Sequence, residues 1–308
     1  MNKKYGIGLV LGIVFVGVIA LLVSGHKKPA ISSGKLQVST SFYPLYFMSS
    51  EIGGNKADVA NITPSGGEPH DYEPTAQDIA QIENSKLLVL NGGGLEAWGA
   101  SIQKNIDPQK TLVVTAGEGL TTQKVTEDGV DMIDPHVWLS PPLAEKMVDK
   151  IALGFAQADP ANASYYQANA MALKVKLADL DTAYKTGLAS CAQKNIITSH
   201  AAFGYIATTY GLHQVPIAGL SPDAEPSPKQ LADIAQFAKS NTVKYIFFES
   251  LVSPKLSETI ANEVGAKTMV LNPIEGLTPA EISAGKTYLT EMRNNLTNLE
   301  TVLECKQP

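Results

Sequence analysis

Apolar positions along the chain follow two rhythms. Short, nearly continuous runs at 36–42 (LQVSTSF), 57–62 (ADVANI), 86–92 (KLLVLNG) and 111–116 (TLVVTA) predict strands buried on both faces, as in a parallel sheet. Between the runs, 44–54 (PLYFMSSEIGG) and 75–85 (TAQDIAQIENS) carry helical spacing. The same grammar restarts at residue 195. Runs at 195–200, 214–220, 243–250 and 268–273 alternate with helical segments that begin near Ala201, Ser227, Pro254 and Pro279. Strand–helix alternation in two separate blocks predicts two mostly parallel α/β lobes.

Between the blocks, residues 160–190 contain no proline after Pro160, and their single glycine, Gly187, lies near the end. Tyr166, Ala170, Leu173, Leu177, Leu180, Tyr184 and Leu188 recur at steps of three and four. One stripe of this kind predicts a helix of roughly 25 residues, about 40 Å long. A helix placed there reads as a rigid strut along both lobes that restricts hinge motion. The expected organisation is a leader and linker at 1–35, an N-terminal lobe at 36–159, the connecting helix at 160–190 and a C-terminal lobe at 191–308.

The leader changes the picture of where the protein works. Lys3 and Lys4 precede an apolar stretch at 5–23, and a polar linker containing His26 follows. The stretch is about the ~20 residues that cross a bilayer, without a clear small-residue cleavage site. It also has no cysteine at its end, which excludes bacterial lipoprotein attachment there. Export with an uncleaved membrane anchor is favoured over a cleaved export signal, with the body outside the cytoplasm, in a periplasm or on the outer face of the membrane.

Composition narrows the function. The chain has 308 residues, 44% hydrophobic and 18% charged, enough for about two globular domains. A net charge of −6 leaves no basic surplus for phosphates, so no nucleic-acid partner is expected. Two cysteines, Cys191 and Cys305, read as one disulfide in an oxidising compartment, tying down the last helix.

The candidate chemistry lies in loops. His70 sits in SGGEPHDYEP after a predicted strand, His136 in DPHVWLSP before a helix, and His200 ends NIITSH. Glu275 follows a strand in LNPIEGLT, and Glu249 ends YIFFE. His213, entering a strand, reads as an exposed or hydrogen-bonded turn residue. Ligands in open α/β sheets gather beyond the carboxyl ends of strands, where His70, His200 and Glu275 are predicted. Imidazoles and a carboxylate meeting in a cleft suit zinc. The prolines beside them stiffen the loops and lower the entropy lost on binding.

GGEPHDYEPT, DPHVWLSP, SHAAFGY and LNPIEGLT, in this order around a long central helix, resemble the metal-binding solute-binding proteins of ABC importers, the cluster A-I zinc and manganese receptors. The resemblance covers nearly the whole chain beyond the linker. It implies two α/β lobes bridged by one long helix, with the metal between them. By motif it implies His70 and His136 as ligands from the first lobe, and His200 and Glu275 from the second. Three imidazoles favour the zinc branch over manganese, which prefers oxygen. Many zinc members carry a His-rich acidic loop between the first two histidines; here that stretch is only EGLTTQKVTEDGVDMID.

Metal-bound imidazoles usually donate their second N–H to a carboxylate or carbonyl. Glu68, Asp71 and Asp134 are candidates by adjacency. Glu249 reads as a water-mediated neighbour of the metal or a helix-capping acid, not a direct ligand. Trp138 and Tyr205 read as packing for the site wall. The expected function is a monomeric receptor that carries one Zn²⁺ per chain, less readily Mn²⁺, to a membrane permease, with no reaction catalysed. The alternatives are a manganese receptor of the same family, a secreted zinc hydrolase with Glu249 as general base, and a surface adhesin on the same fold. Against the hydrolase, no H-E-x-x-H is present and Glu275 would close the position that a catalytic water needs.

Overall fold

The first four apolar runs pair into one sheet whose interior strands are mostly buried and whose edge strands are half-buried. Strands β1 (Leu36–Thr40), β2 (Ala57–Asn61), β3 (Leu87–Leu90) and β4 (Leu112–Thr115) are all parallel, in the order β2-β1-β3-β4. Every residue of the interior strand β3 is buried. Helices α1 (Tyr43–Gly53), α2 (Ala76–Asn84) and α3 (Gly99–Asn105) make the crossovers that parallel pairing demands. A computed structural model describes residues 34–306 except 128. The apolar stretch read as an export anchor, 5–23, and the linker histidine His26 lie outside the described residues. Among the described residues, no helix is long and apolar enough to cross a membrane.

Between β4 and His136 the chain forms an antiparallel hairpin, β5 (Lys124–Glu127) and β6 (Val130–Ile133), registered Lys124↔Ile133 and Glu127↔Val130. The apolar pattern did not announce it. All four residues of β6 are exposed, so no buried run marks it. The signal is the Asp128-Gly129 dipeptide, a strong short-range marker of a two-residue hairpin loop. Gly129 has φ 81°, which that turn requires.

The second block begins at β7 (Asn195–Thr198), which pairs in parallel with β8 (His213–Pro216). Strand β9 (Tyr245–Phe248) pairs in parallel with β10 (Lys267–Val270), and β7 runs beside β9. Helix α4 (Pro141–Ala158) and the long α5 (Ala163–Gly187) precede this block; α6 (Gly204–Tyr210), α7 (Pro228–Ser240), α8 (Lys255–Val264), α9 (Pro279–Ser283) and α10 (Tyr288–Val302) lie within it or follow it. The helix expected near Ala201 starts three residues later. The carbonyl of His200 accepts hydrogen bonds from the Thr198 hydroxyl (2.7 Å) and the Gln214 amide (2.9 Å), so it is not available to start a helix.

Helix α5 runs for 25 residues, about 38 Å, and its inward face is the stripe read from the sequence: Tyr166, Ala170, Leu173, Leu177, Leu180 and Tyr184, all buried. Burying each leucine contributes about 1.5–3 kcal/mol relative to leaving it exposed. The helix packs on α1 and α4 on the N-terminal side and on α10 on the C-terminal side. Asn169 Nδ2 donates to the Ile52 carbonyl (3.0 Å), and the Tyr184 hydroxyl donates to the Met292 carbonyl (2.7 Å). The result is an α/β fold of parallel sheets in two halves, braced by one long helix. Cys191, just past α5, is disulfide-bonded to Cys305, just past α10.

Candidate metal centre

Each candidate residue is held by a loop whose ends are pinned. His70 lies between β2 and α2, and Thr75 caps α2 reciprocally with Asp78. Such caps contribute about 1 kcal/mol and fix where the loop must end. His136 follows the hairpin and is wholly buried, as is His200 beyond the end of β7. Glu275 follows β10, and the capping box of Thr278 and Glu281 at the start of α9 closes its loop. Beside Glu275, Ile274 adopts φ 59°, which a β-branched residue rarely takes, at a cost of about 1–3 kcal/mol. The Asn272 side chain accepts the Ile274 N–H (2.7 Å), while Asn295 accepts the Asn272 N–H (2.8 Å) and donates to its carbonyl (2.6 Å). This network holds the strained turn that aims Glu275 inward.

The four side chains converge. Each offers one ligand atom, and the four atoms lie within 4.8 Å of one another. His70 Nε2 is 3.3 Å from His136 Nε2, which is 3.2 Å from His200 Nε2. Glu275 Oε1 lies 3.3, 3.2 and 3.5 Å from the Nε2 atoms of His70, His136 and His200. A tetrahedron of ligands about 2.0–2.1 Å from zinc has edges of about 3.3–3.4 Å. Five of the six edges lie close to that figure, and the sixth, between His70 and His200, is within 4.8 Å, so the cluster is near the dimensions of a zinc cage.

Buried carboxylates orient two of the imidazoles. His136 Nδ1 donates to Asp134 Oδ1 (2.8 Å), which also accepts the His136 backbone N–H (2.9 Å). His200 Nδ1 donates to Glu249 Oε1 (2.6 Å), which the Ser199 hydroxyl also approaches. Both arrangements leave Nε2 pointing at the centre. Glu249, a candidate neighbour of the metal outside its ligand set, holds His200 directly. Glu68 Oε1 accepts the backbone N–H of His70 (3.1 Å) rather than touching its ring. Asp71 is exposed and its carboxyl faces Asp223, so adjacency to His70 does not make it an imidazole partner. His213 is exposed, as expected, with Nδ1 3.2 Å from Asn195 Oδ1.

Packing completes the wall. Trp138 is fully buried, with its ring 5.1 Å from that of His136, and its Nε1 donates to the Pro273 carbonyl (2.8 Å). That bond joins the His136 loop to the Glu275 loop across the two halves. The Tyr205 hydroxyl donates to the Asp134 carbonyl (3.0 Å) and so steadies the carboxylate that holds His136.

Burial and charge pull the ionisable groups apart. Burial, helped by the neighbouring His136 and His200 charges, holds His70 below its usual range against the opposing pull of Glu275. Burial also opposes protonation of His136, but Asp134 and Glu275 outweigh it and hold the ring above its usual value. At His200 burial is again overcome, by Glu249 and Glu275, which keep it well above. Burial disfavours ionised Glu275, yet the His200 charge and the imidazole hydrogen bonds hold it well below the carboxylate range. Glu68 is pushed up to about 9 by burial and then by the charge of Glu275.

Replacing Glu249 by glutamine keeps the shape but removes the charge that fixes His200. Loss of such a partner typically costs 10–100-fold in metal affinity, and that range is the expected result. Competition with a zinc chelator measures it, and unchanged affinity would show that Glu249 has no hold on the site.

A deep cluster of three imidazoles and a carboxylate, set between two parallel α/β halves on a bracing helix, marks the class of metal-binding solute receptors. The family described as zinc-uptake complex component A, periplasmic, matches residues 38–302, and the chain belongs to it. It is similar to the high-affinity zinc uptake system protein ZnuA of Bacillus subtilis (strain 168), 42% identical over 318 residues that span 99% of this chain and 100% of that protein. The Zn(II)-bound ZnuA-like domain of Streptococcus pneumoniae AdcA is 39% identical, with a TM-score of 0.76 over 88% of this chain and 100% of that one. The metal-dependent lipoprotein YcdH from Bacillus subtilis is 44% identical, with a TM-score of 0.77 over 87% and 100%.

Proposed function

We propose that this protein is an extracytoplasmic receptor that takes up one Zn²⁺ through His70, His136, His200 and Glu275 and hands it to the permease of an ABC importer. The observation that carries this reading is the convergence of four ligand atoms within 4.8 Å, five of their six separations lying near tetrahedral edge lengths. Three imidazoles to one carboxylate favour zinc over manganese. The hydrolase alternative loses its general base, because Glu249 is occupied with His200 and Ser199. Glu275 also supplies the fourth ligand, where a catalytic zinc keeps a water.

The working organisation is a lobe at 36–159 and a lobe at 191–308, joined by the helix at 160–190 and acting as a monomer. The apolar stretch 5–23 anchors it outside the cytoplasm. Because α5 packs against both halves, release comes from movement of the ligand loops rather than from a wide hinge.

Titration with Zn²⁺ and, in parallel, Mn²⁺ tests the reading. One equivalent of zinc is expected to bind, more tightly than manganese. Protons must leave the ligands on binding. His70, lowered by burial, is already neutral at pH 7, whereas His136 and His200 hold protons above the usual imidazole range. Zinc affinity should therefore rise with pH through and beyond that range, with up to about two protons released per ion near neutrality. Calorimetry in buffers of different ionisation enthalpy reads this number directly. A binding enthalpy independent of buffer, or preference for manganese, would sink the assignment.

A further inference from the structure

The β5–β6 hairpin of the N-terminal half reaches the C-terminal half at two points. At its base, the Gln123 carbonyl accepts the Asp134 N–H (3.0 Å). The Tyr205 hydroxyl of α6 accepts the Gln123 N–H and donates to the Asp134 carbonyl, each at 3.0 Å. At its far end Glu127, the last residue of β5, accepts the Leu220 N–H through Oε1. The same carboxylate lies against Gly219, where an added Cβ would fall 2.4 Å from Oε1. The Gly219 carbonyl in turn accepts the N–H of Ala201 (2.8 Å), the residue after His200. The other strand, β6, leads into Asp134 and His136. One hairpin thus links a candidate ligand of each half.

Among the described residues, little else holds the hairpin's far end. Val130, Met132 and Ile133 are 62%, 44% and 46% exposed, so burial of apolar surface does not dock β6. A cavity of about 280 Å³, lined by Val125, Glu127, Pro216, Pro226 and Ile234, separates the hairpin from the start of α7. A segment with few buried apolar contacts and free space beneath it opens at low cost. Under those conditions one charge-assisted bond decides its position, since such bonds are about twice as strong as neutral ones.

The geometry points to Glu127 as a latch: a positioning residue that holds the 219–220 loop, and through it His200, and so limits how fast zinc enters and leaves. The inference rests on the zinc reading of the site. Gly219 is its receptor, because any side chain there would displace the carboxylate.

The test uses the full chain as Glu127→Ala, Gly219→Ala and the double variant. In the metal-free protein, hydrogen exchange across 124–133 and 217–222 should speed up about tenfold in either single variant, the expected consequence of losing one such bond. Zinc release to an excess of chelator, followed by stopped flow, should accelerate by about the same factor. Because both changes break one contact, the double variant should match the singles rather than multiply them. Glu127→Gln, which keeps an acceptor oxygen, should fall between the wild type and Glu127→Ala. Exchange or release within about twofold of the wild type, or effects that multiply in the double variant, overturns the latch. Faster exchange with unchanged release overturns it too. A wild type that binds no zinc defeats the reading of the site instead, while the metal-free exchange still reports on the contact between Glu127 and the 219–220 loop.

Discussion

His200→Ala is expected to raise the dissociation constant for zinc by roughly 10²–10³-fold. Four-ligand zinc sites bind with an apparent ~10–16 kcal/mol, so one ligand accounts for about 3–4 kcal/mol. Alanine also takes from Glu249, 3% exposed, the imidazole N–H that its Oε1 accepts at 2.6 Å, leaving the Ser199 hydroxyl as its donor. His213→Ala is the control, because that ring is exposed and apart from the cluster. Chelator-buffered titration of both variants decides the matter. An affinity for His200→Ala within about threefold of the wild type would remove His200 from the ligand set.

Replacing Cys191 and Cys305 together by serine should lower the unfolding free energy by about 4–5 kcal/mol. The bond closes a loop of 114 residues, and the chain-entropy model scales with the logarithm of that length. At about 2–4 °C per kcal/mol for chains of 150–250 residues, the melting temperature of the metal-free protein should fall by roughly 10 °C. Zinc affinity should change far less. Helix α10 keeps its own packing through Tyr288, Met292 and Leu299, all fully buried, and the Asn272–Asn295 bonds that support the Glu275 turn remain. Thermal melts of the variant, and of the wild type with a reductant, read the effect. A shift under about 2 °C would mean that packing alone holds α10 in place.

Much of this fold was legible because its signals are periodic. The stripe from Tyr166 to Tyr184 depends only on helical geometry, and it is the buried face of α5. The apolar runs became parallel strands for the same local reason. The hairpin was not legible in that way, since an exposed two-stranded ribbon has no apolar rhythm; only Asp128-Gly129 marks it. The early start expected for α6 failed because Thr198 and Gln214, from β7 and β8, take the His200 carbonyl. No periodicity reports a bond between separate strands.

The residue types and their order by themselves narrowed the candidates to histidines in loops, with prolines beside them, and glutamates past strand ends; the resemblance of four motifs to a known family implied the set His70, His136, His200 and Glu275. They also determined the brace and the cysteine pair. Which carboxylate serves which imidazole was decided by the tertiary structure alone. Asp71 and Asp134 are both close in sequence to a histidine, yet only Asp134 is buried against a ring, and Glu249 reaches His200 from 49 residues away. The physical reason is that a side chain's direction depends on the backbone of its loop and on what walls it in. That wall is built from Trp138, Tyr205 and the strained turn at Ile274, which meet only when the two halves close around α5.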